Sequence, residues 1–308
     1  MSTTADLSLG RFVAPRYWPT WLLWLAMKLV ARLPAKWQQT IGVHFGRWLR
    51  RLPLRQVRTA RRNLELCFPE LSSAERDELL DRHFEAVGLS FVDMAIGWFM
   101  PIDELLSRVT IHGREHLEHA LATGRGVLLV SAHFTALEVG VAVMESLTPR
   151  CSCMYRPQRN EMIDVVIRRG RSRFAREQIP RDDVRALLRT LRDNYAVLYM
   201  PDQTYLGRQS TVLPFFGEPA VTNTATARLA AIGNAIVLTY FFRRLADGRY
   251  SVDIGPPLSG FPSGDEVADA RRLVSLLEDY VRLVPEQYLW IYKKFKGRPP
   301  PLRDPYDG

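Results

Sequence analysis

His133 and Glu138 are the two side chains of this sequence best suited to acid–base chemistry. They lie in the segment SAHFTALE, residues 131–138. A carboxylate that accepts a hydrogen bond from one imidazole nitrogen fixes the tautomer and raises the basicity of the other nitrogen. On an ideal helix five residues turn by about 500°, so these two side chains would face apart. They can converge only if His133 lies in a turn and Glu138 in the first turns of the following helix.

The apolar pattern around the pair predicts that geometry. Residues 126–131, GVLLVS, have the pattern of a buried strand that leads into His133, and residues 196–200, AVLYM, that of a second strand that leads into Asp202. In open α/β sheets, chemistry takes place just beyond the carboxyl ends of the strands. We therefore predict that His133 is a catalytic base and that Glu138 orients it. A structural, salt-bridged histidine is the alternative, because the His-x4-Glu spacing alone is a weak motif.

The same patterning predicts an α/β fold. Further strands are expected at 235–242 and 250–254, and helices near 137–148, 160–176, 182–193, 222–232 and 265–284. This alternation predicts a mostly parallel or mixed central sheet with helices on both faces. Residues 1–105 are almost entirely helical in pattern and are expected to form an N-terminal membrane-associated region. Residues 106–308 would form the α/β catalytic region, and the two would make one continuous domain.

Basic charge is concentrated near the N-terminus. The formal net charge is +9 and the pI is about 9.7, which indicates anionic partners. Residues 16–62 contain 11 Lys and Arg but no Asp or Glu, and tryptophans such as Trp18, Trp21 and Trp24 are interleaved with them. Cations and aromatics on an apolar segment are typical of a lipid–water interface. We expect residues 18–33 to associate with a membrane, either as a transmembrane helix or lying flat; a buried amphipathic helix is the alternative.

The sequence argues against a serine hydrolase, a nucleotide-binding site, a disulfide framework and a metal site. The sequence has no G-x-S-x-G elbow, no P-loop and no G-x-G-x-x-G after a strand. Its three cysteines are too few and too irregular for a disulfide framework. His112, His116 and His119 have helical spacing, but their charged surroundings favour a solvated helix face over a metal site. We expect neither a metal nor a cofactor, because a histidine base acting on a substrate hydroxyl needs neither.

The His133–Glu138 segment and six further sequence blocks resemble those of a known family. The His-x4-Glu motif after a glycine-led apolar strand resembles that of the lysophospholipid acyltransferase superfamily. Six further blocks are similar to those of the lipid A biosynthesis (late) acyltransferases of the lauroyl/myristoyl transferase type. They occur in order between about residues 18 and 300: NLELCFPE at 63–70, YRP at 155–157, GRSR at 170–173, PDQ at 201–203, PFFG at 214–217 and PEQYLWIYKKFK at 285–296.

The resemblance implies an activity and its partners. The enzyme would transfer a fatty acyl chain from an acyl carrier protein thioester to a hydroxyl of a phosphorylated glycolipid, a lipid A precursor. The reaction would take place at the cytoplasmic face of the cell inner membrane. The acidic carrier protein, the phosphorylated acceptor and the anionic membrane each suit the basic charge of the chain.

The resemblance also implies further site residues. Arg171 and Asp202 stand where the family keeps active-site residues, and Arg156 and Arg208 would contact phosphate or the carrier protein. Each has a structural alternative that stays open here. Arg156 precedes a proline and could be a loop arginine, Arg171 lies in a basic run that could be a solvated face, and Asp202 could cap a turn.

Two other functions are compatible with parts of the sequence. One keeps the chemistry and changes the acceptor to a glycerophospholipid or another glycolipid. The sequence DQTY at 202–205 argues against this acceptor. By resemblance, glycerolipid enzymes have a phosphate-binding Glu-Gly-Thr-Arg block after the second strand, where this chain has DQTY. The other is a non-catalytic, basic membrane-surface or nucleic-acid-binding protein. We expect no nucleic-acid partner, since no nucleic-acid motif is present and the basic stretch adjoins an apolar one.

Overall fold

A computed structural model of the chain describes residues 7–173 and 177–306. Within these residues the α-helices are α1 Trp18–Val30, α2 Ala35–Arg51, α3 Arg55–Cys67, α4 Ser73–Phe99, α5 Ile102–Leu106, α6 Arg114–Ala122, α7 Leu137–Leu147, α8 Glu161–Arg171, α9 Val184–Arg192, α10 Ala225–Gly233 and α11 Glu266–Leu283. The strands are β1 Val109–His112, β2 Val127–Val130, β3 Cys151–Tyr155, β4 Glu177–Pro180, β5 Ala196–Tyr199, β6 Ser210–Phe215, β7 Glu218–Asn223, β8 Ile236–Arg244 and β9 Tyr250–Ile254.

Seven of these strands form the central sheet, in the order β1-β9-β8-β2-β5-β3-β4. Five neighbouring pairs are parallel, and only β8 and β9 are antiparallel. The predicted mostly parallel, mixed sheet is therefore confirmed. Strands β6 and β7 form a separate antiparallel hairpin between β5 and α10 that the sequence analysis did not predict.

Helices cover both faces of the sheet, as predicted. Strand β2 is buried along its whole length, and its side chains alternate between two apolar clusters. Val127 and Leu129 pack into the cluster that contains residues of α4 and α7, whereas Leu128 and Val130 pack into the one that contains residues of α9, α10 and α11. A strand buried on both faces needs a continuous apolar run, which explains the sequence VLLV.

The N-terminal region is helical, and α4 ties it to the rest of the molecule. This helix begins with a capping box, in which Ser72 and Glu75 satisfy each other's backbone N–H groups. Helix α4 packs against α2, and glycines line the point where the two helices cross. A Cβ atom on Gly88 would lie 2.1 Å from the carbonyl oxygen of Gly42, and one on Gly46 would lie 2.0 Å from that of Phe84. Only glycine allows the two backbones to approach this closely.

The outer faces of α1 and α2 carry large apolar side chains. In α1, Trp18, Leu22, Leu25 and Leu29 are 59%, 68%, 49% and 56% exposed, and their spacing places them on one helix face. Helix α1 has 13 residues, about 20 Å at the usual rise, whereas the hydrocarbon core of a bilayer is about 30 Å thick. Among residues 7–173 and 177–306, no helix combines the length and apolar content needed to cross a membrane.

The glycine crossing gives the first prediction. Gly88→Ala should lower the free energy of unfolding by about 1–3 kcal/mol or more, because the methyl group would collide with backbone atoms of α2 that cannot rotate away. Thermal unfolding would show this as a lower Tm. The matched control is Gly10→Ala, where the added Cβ would meet its nearest atom at an ordinary 3.6 Å. A Gly88→Ala protein as stable as this control would contradict the described crossing.

Candidate active site

The site forms where two adjacent parallel strands end. Strands β2 and β5 pair directly, with Val130 opposite Tyr199, and the backbone N–H of Ser131 donates to the Tyr199 carbonyl at 2.9 Å. The chain that leaves β2 reaches His133 three residues later, and the chain that leaves β5 reaches Asp202 equally soon. Because both strands run in the same direction, these two side chains emerge at the same edge of the sheet, as predicted.

His133 and Asp202 make a two-point contact. Nδ1 of His133 lies 2.7 Å from Oδ1 of Asp202, and the backbone N–H of His133 donates to Oδ2 at 3.1 Å. The carboxylate is almost fully buried, whereas 24% of the His133 side chain is exposed. With a carboxylate at Nδ1, that nitrogen carries a proton, and Nε2 is left as the basic nitrogen.

Asp202 stays ionised despite its burial. Burial by itself raises the pKa of this carboxyl group, but the contacts with His133 and the nearby ammonium of Lys294 outweigh it and hold the pKa below its usual value. The Tyr288 hydroxyl donates to Oδ2 at 3.2 Å. Burial, and after it the negative charge of Asp202, raise the pKa of Tyr288 well above normal, so this hydroxyl remains a donor. Lys294 donates to the Asp202 backbone carbonyl at 2.5 Å.

The loop that carries His133 is held by the segment after α11. The Leu289 N–H donates to the His133 carbonyl at 2.9 Å, and the Thr135 N–H donates to the Gln287 carbonyl at 2.8 Å. Together they form a short antiparallel bridge between Phe134 and Tyr288. The block PEQYLWIYKKFK therefore supplies both backbone support for His133 and side-chain contacts for Asp202.

Glu138 belongs to a second buried ion pair. It lies in the first turn of α7, as predicted, and both of its oxygens accept hydrogen bonds from the Arg171 guanidinium, with Nε to Oε2 at 3.1 Å. The Trp98 indole N–H donates to the same Oε2 at 2.8 Å. Burial raises the pKa of Glu138, but Arg171 and Trp98 outweigh it and keep the pKa below normal. Burial lowers the pKa of Arg171, and the adjacent carboxylate more than reverses this, so both groups are charged.

The orienting contact thus differs from the one that we predicted. His133 Nδ1 contacts Asp202, and among the described residues the Glu138 carboxylate accepts hydrogen bonds from Arg171 and Trp98. The reason lies in the packing of α4 against α7. Gly97 lets α4 approach so closely that an added Cβ would lie 2.8 Å from the Glu138 carbonyl oxygen, which brings Trp98 next to the carboxylate. Arg171 reaches the same carboxylate from the end of α8.

The other two predicted residues are exposed on loops. Arg156 follows β3, the neighbour of β5 in the sheet, and therefore lies beyond the same strand-end edge. Arg208 lies in the loop between β5 and β6. Their substrate-binding roles remain predictions, as does that of Asp202.

Sequence reasoning missed Trp98, Tyr288 and Lys294. Trp98 is distant in sequence from every motif, and no local signal links it to Glu138. Tyr288 and Lys294 lie inside the quoted block 285–296, but their chemistry depends on the orientation of two side chains towards Asp202. Within the described ranges no group of metal-ligating side chains is assembled, and Nδ1 of His116 lies 2.9 Å from the Ile254 carbonyl oxygen.

The fold and the site together define a class of protein. A histidine at the open carboxyl edge of an α/β sheet, backed by a buried carboxylate, is an arrangement suited to general-base catalysis. The family described as bacterial lipid A biosynthesis acyltransferase matches residues 9–297. The chain belongs to this family.

Individual relatives agree with this assignment. The chain is 34% identical to the lipid A biosynthesis lauroyltransferase of Escherichia coli strain K12, over 92% of this chain and 94% of the relative. It is 34% identical to the palmitoleoyltransferase of the same organism, over 94% of each chain. Identity to its lipid A biosynthesis myristoyltransferase is 31%, over 96% of this chain and 92% of that one.

The buried pair gives the second prediction. Glu138→Gln should lower the free energy of unfolding by about 3 kcal/mol, because it leaves the Arg171 cation buried without its counter-charge. Urea unfolding measures the change. The matched control is Glu118→Gln, which removes an exposed pair with Arg114 at 2.7 Å and should cost less than about 1 kcal/mol. Equal losses in the two variants would contradict the role of burial.

Proposed function

We propose that this protein transfers a fatty acyl chain from an acyl carrier protein thioester to a hydroxyl of a lipid A precursor. Membership of the family supports the reaction class, and the names of the relatives support the acceptor. The observation that carries the proposal is the 2.7 Å contact between His133 Nδ1 and the buried Asp202 carboxylate. This contact leaves Nε2 of a partly exposed histidine free to meet a substrate hydroxyl.

In the proposed mechanism His133 is the general base. Nε2 takes the proton of the acceptor hydroxyl as its oxygen attacks the thioester carbonyl, and a tetrahedral intermediate forms. The intermediate collapses, the carbon–sulfur bond breaks, and the imidazolium returns its proton to the departing thiolate. Asp202 keeps Nδ1 protonated and stabilises the imidazolium between these two steps.

Glu138 and Arg171 are proposed to act as a unit beside this centre. Arg171 donates two of its five N–H groups to Glu138, and we propose that the others bind an oxyanion or a phosphate. Glu138 then fixes the guanidinium in one orientation, which is a positioning role. Arg156 and Arg208, exposed on loops, are proposed to contact the phosphate groups of the acceptor or the carrier protein.

The general-base role gives the third prediction. His133→Ala should lower kcat by at least about 100-fold, since it removes the base. Mass spectrometry of the product, with a lipid A precursor as acceptor and an acyl carrier thioester as donor, measures the transfer. His119→Ala, which changes an exposed histidine of α6, is the control and should keep full activity. Near-wild-type transfer by His133→Ala would overturn the mechanism.

The acceptor is tested in the same assay. We expect transfer to the lipid A precursor and none to a lysophospholipid offered at the same concentration. The opposite preference would favour the glycerophospholipid alternative. Transfer to neither acceptor would overturn the proposed function.

We further propose that the protein works on the cytoplasmic face of the inner membrane, with α1 and α2 lying in the interface. The apolar face of α1 supports this, and so do the exposed Trp37 and Trp48 of α2. In α1 a cation lies beside a partly buried tryptophan: Lys28 Nζ is 4.8 Å from the ring centre of Trp24. Apolar side chains flanked by cations suit a bilayer surface with anionic lipids.

The membrane face gives the fourth prediction. The double variant Leu22→Glu/Leu25→Glu should sediment with anionic phospholipid vesicles far less than wild type, because it puts two charges on the face that would enter the interface. Val184→Glu/Val267→Glu adds the same charge at apolar positions that are 46% and 42% exposed on α9 and α11, and should leave sedimentation unchanged. Equal loss in both variants would show that only net charge matters.

A further inference from the structure

A basic groove runs between α3 and the segment that follows α11. It consists of two adjoining cavities of about 260 and 380 Å³ that share Arg55, Thr59 and Lys293 as lining residues. The charged side chains that line it are Glu65 and six cations: Arg55, Arg58, Arg61, Arg62, Lys293 and Lys296. At about 100° per residue, the four arginines of α3 fall within about 120° of one another and therefore occupy one face of that helix.

Most of this charge is not neutralised within the protein. Arg61 pairs with Asp77 at 2.5 Å and Arg62 with Glu65 at 3.1 Å. In the part of the chain that the structure describes, the other four cations have no carboxylate within ion-pair distance. Lys293 and Lys296 instead lie over the rings of Tyr306 and Tyr292, at 5.0 and 4.8 Å from the ring centres. Such a concave, positively charged surface attracts an anionic partner.

The groove is connected directly to the catalytic residues. Lys293 lines it, whereas the next residue, Lys294, points inward and donates to the Asp202 carbonyl. The Tyr292 hydroxyl donates to the Thr204 carbonyl at 3.2 Å, two residues after Asp202. Asn63 of α3 donates to the Trp290 and Tyr292 carbonyls at 2.6 and 2.7 Å, which fixes α3 to this segment. One wall of the groove is thus the same chain segment that supports the catalytic pair.

The chemistry of the groove suits a protein better than a lipid surface. Exposed large apolar side chains accompany the cations in α1 and α2, whereas none of the described residues that line the groove is an exposed large apolar one. A membrane-binding surface needs such side chains, whereas an acidic protein surface is recognised by charge complementarity alone.

We propose that this basic groove is the docking site of the acidic carrier protein that delivers the acyl thioester. The inference rests on the proposed function, since it names the surface that receives the proposed donor. Carboxylates of the carrier pair with Arg55, Arg58, Lys293 and Lys296. The thioester-bearing arm of the carrier then extends past the 285–296 segment to His133.

The test compares two donors that share the same acyl chain. Acyl carrier thioester brings the acidic protein, whereas acyl-pantetheine brings only the uncharged arm. Arg55→Glu/Arg58→Glu should lower kcat/KM for the carrier donor by about 10-fold or more, and that for acyl-pantetheine by less than about twofold. Rising salt should lower the wild-type kcat/KM for the carrier donor steeply and that of the variant weakly.

The matched control is Arg185→Glu/Arg189→Glu, which changes net charge equally on exposed positions of α9 and should leave both donors unaffected. Unchanged kcat/KM for the carrier donor in the groove variant would overturn the proposal. So would an equal loss with both donors, a rise in the KM for the acceptor alone, or a loss of vesicle binding alone. A wild-type protein that transfers from neither donor would instead overturn the proposed function, and the groove proposal with it.

Discussion

The site depends on one contact, that between His133 and Asp202, and this contact depends on the parallel pairing of β2 with β5. The two residues are 69 positions apart in sequence and meet only because adjacent parallel strands end at one edge of the sheet. Burying a carboxylate is costly unless it is paired and hydrogen-bonded. Here the imidazole, the Tyr288 hydroxyl and the nearby Lys294 ammonium provide those contacts. A charged Asp202 in this setting holds the histidine in one orientation and one tautomer.

This constraint explains why the segment after α11 is tied so closely to the loop after β2. The backbone of residues 287–289 holds the loop that carries His133, and the side chains of Tyr288 and Lys294 contact Asp202. Asn63 of α3 in turn holds the carbonyls of Trp290 and Tyr292. Elements from both ends of the chain therefore stabilise a pair formed in its middle, which accords with a single apolar cluster that includes residues from α3 to Phe295.

The sequence was sufficient for four strands of the central sheet and for the strand-end location of the site, whereas β1 and β4 were not predicted. Apolar runs predicted β2, β5, β8 and β9, and all four lie in the central sheet. It was not sufficient for the partner of His133. Proximity in sequence favoured Glu138, whereas strand pairing, which local patterning does not encode, selected Asp202. The close approach at Gly97 that places Trp98 beside Glu138 is likewise a tertiary feature, and a lone glycine within a helix gives no sign of it. The hairpin β6–β7 was missed because its apolar residues are interrupted by prolines.

The basic charge is divided between two surfaces of different chemistry. On α1 and α2, cations accompany exposed leucines and tryptophans, a combination that gains free energy by burying apolar area in an interface. On α3, cations line a groove whose described residues include no large exposed apolar side chain, so that the proposed binding would gain its free energy from charge and be screened by salt. If net charge alone had been selected, the apolar residues would be spread over both surfaces. Their separation favours the two proposed anionic partners, one lipid and one protein, bound at different surfaces.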